Sequence, residues 1–150
     1  MKTNYFTIPE ITVSYKDNVK ASERAIIRCS KDAASILAVA FEDCMEHHEE
    51  VNVLFLNRAN RLIGISCVSK GGISGAFVDI KIILQIALKT HSSAIMLSHN
   101  HPSGATQPSS EDIQLTKQLQ NGCKAIGISL LDHLIITEET YTSLADEGLL

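Results

Sequence analysis

The sequence predicts an α/β fold in which a mixed β-sheet is flanked by helices. The chain has 150 residues, 45% of them apolar, which is enough for one domain with a sizeable core. Stretches with the period of an amphipathic helix alternate with short apolar runs typical of strands. One pair of these runs is separated by only a short turn, which predicts an antiparallel hairpin and therefore a mixed sheet. We expect residues 1–150 to form a single domain.

The first half of the chain is predicted to hold strands on either side of one helix. The expected elements are an edge strand at 10–15, a short strand at 25–28, a helix from Ser30 that frays over 46–49, and a hairpin over 49–68 with its turn at 57–60. The helix assignment depends on apolar residues that recur at steps of one, three and four as far as Met45. The run VNVLFL has one polar residue, as expected of a strand that is covered on both faces.

The second half is predicted to alternate helices and strands. The expected elements are a glycine-rich loop at 71–75, a helix over 80–88, a strand over 93–97, a loop over 99–108, a helix over 110–122, strand material over 126–137 and a frayed tail or short helix over 138–150. This interleaving places helices on the faces of the sheet.

Charge and composition exclude several classes of protein. The net charge is −4 and the isoelectric point is near 5.8, a poor basis for binding nucleic acid through its phosphates. The first residues lack the apolar stretch of a secretory signal, and no segment is apolar over the length of a membrane span. Four cysteines without a CxxC pair favour packed, reduced thiols in a cytoplasmic protein, with a zinc cluster or a disulfide framework as the alternative.

The segment SHNHPSG, residues 98–104, carries the strongest chemical signal. His99 and His101 follow an apolar run, and side chains two residues apart in extended backbone project from the same side. Two imidazoles on one side can bind one cation, and imidazole nitrogen is a common ligand of zinc. An HxH pair alone is common by chance, so two loop histidines that bond to the backbone are the alternative.

Asp112 can complete this set if the intervening loop folds back. Ten residues separate it from His101, and they include two prolines and a glycine, which suit a tight loop. Asp112 also follows Ser109 by three residues, the spacing of a helix capping box. The two interpretations are compatible, because a helix start can be capped and can also position a ligand.

The other histidines give weaker signals. His133 is flanked by apolar residues, which indicates a buried histidine that either bonds within the core or supports a metal ligand. We expect His47 and His48 at the surface near a helix end, and His91 near a helix C-terminus. The glycines at 71–75 match no nucleotide-binding pattern.

The combined motif resembles the JAMM (JAB/MPN) metalloprotease signature, in particular its bacterial RadC-like branch. That pattern has an upstream glutamate, then HxH, ten residues and an aspartate, with a serine three residues before the aspartate. His99, His101, Ser109 and Asp112 match it residue by residue. The resemblance spans about residues 30–147 and includes LNRANRLIG and LLDHLIIT. It implies the JAB/MPN fold, a three-layer sandwich similar to that of cytidine deaminase.

The upstream glutamate of the family falls on Glu49. RadC-like chains carry it at the start of a strand, eight residues before an Asp or Asn, which is Asn57 here. Glu50 is the alternative, and only one of the two can serve, because adjacent strand positions face opposite ways. Val51 stands where the family commonly has an aromatic residue, and the helix-hairpin-helix module that precedes the domain in typical RadC proteins is missing from this sequence.

The resemblance implies a metallohydrolase that carries one zinc ion per chain and cleaves amide or isopeptide bonds. It assigns the metal to His99, His101 and Asp112, proton transfer to Glu49 and a hydrogen bond to the oxyanion to Ser109. The implied partner is a peptide or protein-conjugate substrate, with neither nucleic acid nor membrane bound directly. The alternatives are a catalytically silent MPN-type interaction module and a DNA-repair accessory protein.

Overall fold

The computed structural model describes residues 9–71 and 76–150 and confirms the predicted fold class. Within these residues a five-stranded mixed sheet lies between helices on its two faces. The strands are β1 (Glu50–Leu56), β2 (Leu62–Lys70), β3 (Ala94–Asn100), β4 (Ser129–Ile136) and β5 (Tyr141–Ser143). The α-helices are α1 (Ser30–Ala40), α2 (Ile80–Lys89) and α3 (Ser110–Ala125), and a short 3-10 helix covers Ala21–Glu23.

The strand order in the sheet is β2-β1-β3-β4-β5. β1 pairs antiparallel with both β2 and β3, which confirms the predicted hairpin, and β3 pairs parallel with β4 through the crossover that contains α3. A parallel crossover must carry the chain back to the end of the sheet at which β3 begins. The crossover helix α3 therefore starts near the carboxyl end of β3. This topology brings the two halves of the histidine–aspartate motif to one place.

Two apolar clusters fill the spaces between the three layers. One lies between α1 and the sheet and contains Leu37, Phe41, Leu54 and Leu134. The other lies between the opposite face and the pair α2 and α3, where alternate residues of β1 such as Val53 contribute. Because β1 contributes to both clusters, six of its seven residues are buried.

The predicted edge strand at 10–15 is wrong. The residues from 9 to 19 form no strand, and Ile11 and Val13 are 88% and 73% exposed. Alternation of apolar residues predicts a strand only where a sheet edge is available to pair with it. The short strand at 25–28 is reduced to a single bridge between Ile26 and Arg61.

Helix boundaries differ from the predicted ones at both α1 and α3. α1 ends at Ala40, and tight turns such as Cys44 N–H to Phe41 O (3.0 Å) follow it. These turns keep Phe41 and Cys44 buried, which is why the helical spacing of apolar residues continued beyond the helix. α3 continues past Gly122, whose missing side chain allows close packing, since a Cβ there would lie 3.2 Å from Leu84 Cδ1.

Two strands differ from prediction near the carboxyl side of the chain. β3 extends to Asn100, so His99 lies within the strand rather than after it. The segment expected to be a frayed tail or helix contains β5, which pairs antiparallel with β4 at the end of the sheet. Of the glycine-rich loop, residues 72–75 lie outside the described residues.

Candidate metal centre

The carboxyl end of β3 presents two histidines to the same face of the sheet. His99 is paired with Ile135 in β4, and His101 N–H donates to Ile136 O at 2.9 Å, so the extended backbone continues past the strand end. His99 is 4% exposed. The Nε2 atoms of His99 and His101 lie 2.8 Å apart, which shows that the rings converge as their spacing predicts.

Asp112 reaches these rings from the first turn of α3. Ser109 is the N-cap, its Oγ accepts from Asp112 N–H at 3.1 Å, and its own N–H donates to Asp112 Oδ2 at 2.8 Å. The same Oδ2 lies 3.4 Å from His99 Nε2 and 3.8 Å from His101 Nε2. The capping box therefore fixes the carboxylate in front of the two imidazoles, so both interpretations of Asp112 hold in the same geometry.

The loop between β3 and α3 is shaped to return the chain. His101 Nδ1 lies 2.7 Å from Ala105 O, and Gly104 adopts a φ of 78°, which favours glycine. The contact with Ala105 O makes Nδ1 the donor and leaves Nε2 of His101 with a free lone pair. The loop thus selects the tautomer that a metal ligand needs.

The three ligand atoms fit a metal ion. In tetrahedral coordination at zinc–ligand distances of about 2.1 Å, ligand atoms lie about 3.4 Å apart. The observed separations of 2.8, 3.4 and 3.8 Å bracket that value. Burial alone would raise the pKa of Asp112, but the hydrogen bond and charge of His99, with hydrogen bonds from Ser109, hold that pKa well below its usual range. The carboxylate is therefore ionised, as a metal ligand must be.

A buried hydrogen-bonded chain supports His99 from behind. His133, which is 1% exposed, places Nε2 2.8 Å from His99 Nδ1 and Nδ1 2.6 Å from Thr116 Oγ1. Thr116 Oγ1 in turn donates to Asp112 O at 2.6 Å. Burial lowers the pKa of His133 to about 3, so the ring is neutral. Donation from His99 Nδ1 to His133 directs His99 Nε2 toward Asp112, where it can bind a metal once it releases its proton.

Alternation along extended backbone assigns the two candidate glutamates to opposite faces of the sheet. Val51 pairs with His99 across β1 and β3, so their side chains share a face. Gly71 N–H donates to Glu49 O at 2.9 Å, which continues the extended pairing and places Glu49, two residues before Val51, on the face of His99. Glu50 lies on the other face, where its Oε1 is 2.9 Å from His48 Nε2. Proton transfer by Glu49 stays a prediction that this placement supports.

Asn100 fastens the segment that carries both glutamates to β3. Its side chain is fully buried and donates from Nδ2 to the carbonyl oxygens of Cys44 (3.3 Å), Met45 (3.3 Å) and His48 (2.9 Å). Its Oδ1 accepts from Glu50 N–H at 2.8 Å. One amide between the two metal-ligand candidates thus sets the path of the chain before β1.

We expect Asn100→Ala to lower the free energy of unfolding by about 3 kcal/mol, because several buried backbone groups lose their partner. Chemical denaturation measures this. Asn52→Ala is the matched control: Asn52 is also a buried asparagine of the sheet, and among the described residues its Nδ2 has no hydrogen-bond partner. A loss for Asn100→Ala no greater than for Asn52→Ala would contradict the fastening role.

His133 lies in the interior, as predicted, whereas Thr116 and Asn100 are site residues that the sequence did not predict. Thr116 lies four residues after Asp112, on the same side of a helix, and this spacing was the available signal. Cys44 and Cys123 are buried, whereas Cys29 and Cys67 are exposed rather than packed. Within residues 9–71 and 76–150, no helix has both the length and the apolar composition that crossing a membrane requires.

The fold and the site define a three-layer α/β domain with a candidate His/His/Asp metal centre at the end of a central strand. A family model described as the RadC-like JAB domain matches residues 27–149. The chain belongs to this RadC-like JAB domain family.

Three relatives illustrate the match. A UPF0758 protein of Flavobacterium johnsoniae is 42% identical over 123 residues, which is 82% of this chain and 53% of the relative. A UPF0758 protein of Porphyromonas gingivalis is 46% identical over 103 residues, 68% of this chain and 45% of the relative. A UPF0758 protein of Listeria welshimeri is 38% identical over 130 residues, 87% of this chain and 57% of the relative. The chain spans about half the length of the curated relatives it matches.

Proposed function

We propose that the chain is a zinc-dependent metallohydrolase that cleaves amide or isopeptide bonds. The observation that carries the proposal is the convergence of His99 Nε2, His101 Nε2 and Asp112 Oδ2 within 3.8 Å of one another. Three protein ligands without a fourth are typical of catalytic zinc sites, because the open position is left for water or substrate. Two imidazoles and one carboxylate favour zinc over magnesium or calcium, which prefer oxygen ligands.

A zinc ion bound there would supply Lewis-acid chemistry, lowering the pKa of water and polarising the scissile carbonyl. The residues of the chain supply the rest. Glu49 accepts a proton from the attacking water and returns it to the leaving amine. The hydrogen bonds that link His99 to His133 and His133 to Thr116 hold the His99 ring in one tautomer and one orientation.

Ser109 supplies a donor for the developing oxyanion. Its Oγ accepts from Asp112 N–H, and a hydroxyl that accepts one hydrogen bond still has its own hydrogen to donate. The N-cap position keeps the hydroxyl beside Asp112, so the donor is fixed before the substrate arrives.

Ser109→Ala is expected to leave zinc content unchanged and to slow turnover by roughly 10²-fold or more, the usual effect of removing one oxyanion donor. Loss of the cap should also cost about 1 kcal/mol of stability. The rate per folded, zinc-loaded molecule separates these effects. The neighbouring exposed Ser110→Ala is the control and should keep the wild-type rate. An unchanged rate for Ser109→Ala would leave Ser109 as a helix cap only.

The substrate that we propose is a peptide or protein conjugate. The net charge of −4 makes nucleic acid a poor partner, which also weighs against a DNA-repair accessory role through direct contact. The complete ligand set, with Ser109 and Glu49 both present, weighs against a catalytically silent module.

The test is a library of peptides and ubiquitin-like conjugates incubated with the zinc-loaded protein. We expect cleavage of at least one amide or isopeptide class, lost on chelation, restored by zinc and absent for Asp112→Ala. Cleavage by Asp112→Ala at the wild-type rate, or no cleavage by protein shown to hold zinc at the His/His/Asp site, would contradict the proposal.

A further inference from the structure

A second cluster of metal-ligand side chains lies on the opposite face of the sheet. It comprises a group of three, Cys44 in the turns after α1, His48, and Glu50 at the start of β1, with Cys67 of the edge strand β2 beside Glu50. We propose that this cluster is a second zinc site, with thiolate sulfur among its ligands. Nothing in the proposed hydrolysis uses these residues, so the inference stands independently of the proposed function.

The ligand atoms already converge on the Glu50 carboxylate. His48 Nε2 lies 2.9 Å from Oε1, and Cys67 Sγ lies 3.7 Å from Oε2. Ligand atoms of Cys44, His48 and Glu50 all lie within 4.8 Å of one another. A tetrahedral zinc ion with sulfur, nitrogen and oxygen ligands separates them by about 3.3–3.8 Å. The 3.7 Å between Cys67 and Glu50 falls in this range, and the 2.9 Å between His48 and Glu50 lies just below it.

The backbone that carries three of these ligands is held in place without a metal. Asn100 bonds to Cys44 O, His48 O and Glu50 N, and it is itself fully buried. Ordering a ligand loop is a large part of the cost of metal binding, and here that cost is already met by the fold. Cys67 lies on an edge strand and is exposed, so an ion can enter from solvent.

The charges of the cluster suit a cation. The Glu50 side chain is 13% exposed, and its cationic neighbour Lys70 lies 3.7 Å away with a side chain that is 72% exposed. The Glu50 carboxylate, together with two thiols and an imidazole, can bind a divalent ion as the thiols release their protons to solvent. Sulfur and imidazole ligands select zinc over magnesium or calcium.

Four protein ligands would make this site closed and structural, unlike the three-ligand site. The ion would join the segment before β1 to the edge strand β2. This junction is next to Glu49, whose side chain is assigned to the opposite face. The two sites also differ in donor atoms, since sulfur belongs only to the second. This difference provides the test.

The experiment is a titration of metal-free protein, kept reduced, with Co²⁺, followed by near-ultraviolet absorption. Thiolate ligation produces a sulfur-to-cobalt charge-transfer band, which nitrogen and oxygen ligands do not. In a His101→Ala chain, we expect the band to saturate at about one cobalt per chain. Cys44→Ser and Cys67→Ser should each remove or strongly weaken it, and the exposed cysteine control Cys29→Ser should keep it.

Thermal melting establishes that each variant is folded, and the exposed position of Cys67 makes Cys67→Ser informative even if Cys44→Ser is unstable. Displacement of cobalt by one equivalent of zinc, with loss of the band, is the expected competition result. The proposal is overturned by the absence of a band in folded, reduced wild type. It is equally overturned by a band that both Cys44→Ser and Cys67→Ser retain.

Discussion

Replacement of Glu49 by glutamine is expected to reduce hydrolysis by at least roughly 10²-fold while the protein stays folded and zinc-loaded. Glutamine keeps the size and hydrogen-bonding capacity of the side chain, but it cannot accept a proton at neutral pH. The pairing of Val51 with His99 places Glu49 on the face of the metal centre, which is the physical reason for the expected loss. The rate per zinc-loaded molecule, measured with any substrate found in the library, is the readout.

Glu50→Gln and Glu42→Gln complete this comparison. Glu50 lies on the other face with His48, so Glu50→Gln should keep most of the activity. The exposed Glu42 belongs to neither group of metal-ligand side chains, so Glu42→Gln should match wild type. An inactive Glu50→Gln beside an active Glu49→Gln would shift the proton acceptor by one residue. Full activity in both would mean that another group takes the proton.

His101→Ala is expected to lose about one zinc ion per chain relative to wild type, together with all measurable hydrolysis. Two remaining ligands do not hold a catalytic zinc tightly, and His99→Ala should behave in the same way. The exposed His91→Asn is the matched control and should keep the wild-type zinc content. Equal zinc in wild type and both ligand variants would remove the metal assignment.

Local patterns were sufficient for much of the fold. The run VNVLFL and the returning strand predicted the hairpin correctly, because burial on both faces leaves a continuous apolar run. The predicted strand at 10–15 is wrong, because alternation of apolar residues describes a single strand. It does not indicate whether a sheet edge is free to pair with that strand. Helix ends also needed tertiary information: Gly122 suggested a stop, but its close approach to Leu84 is a packing requirement of α3 on α2.

The candidate site shows the same division between what local patterns predict and what depends on tertiary structure. The HxH spacing and the capping box are local, so His99, His101, Ser109 and Asp112 were chosen from sequence, and the fold brings them together. Glu49 and Glu50 could not be separated by sequence spacing alone, because the choice depends on strand register, and the pairing with β2 is irregular just after Val51.

Long-range contacts were beyond the sequence. Asn100 and Glu50 are 50 residues apart, and His99 and His133 are 34 apart, so no local pattern indicates that these hydrogen-bonding groups meet. The cluster of Cys44, His48, Glu50 and Cys67 has the same character, since it forms only when the edge of the hairpin lies beside the turns after α1.

Anomalous diffraction at the zinc absorption edge, from crystals of the zinc-loaded protein, tests the central claim most directly. We predict a peak about 2.0–2.2 Å from His99 Nε2, His101 Nε2 and Asp112 Oδ2, with the fourth position open to solvent. An empty position between these three atoms in crystals that hold zinc elsewhere would contradict the claim. A fourth protein ligand that closes the coordination would contradict it as well, because the site would then be structural.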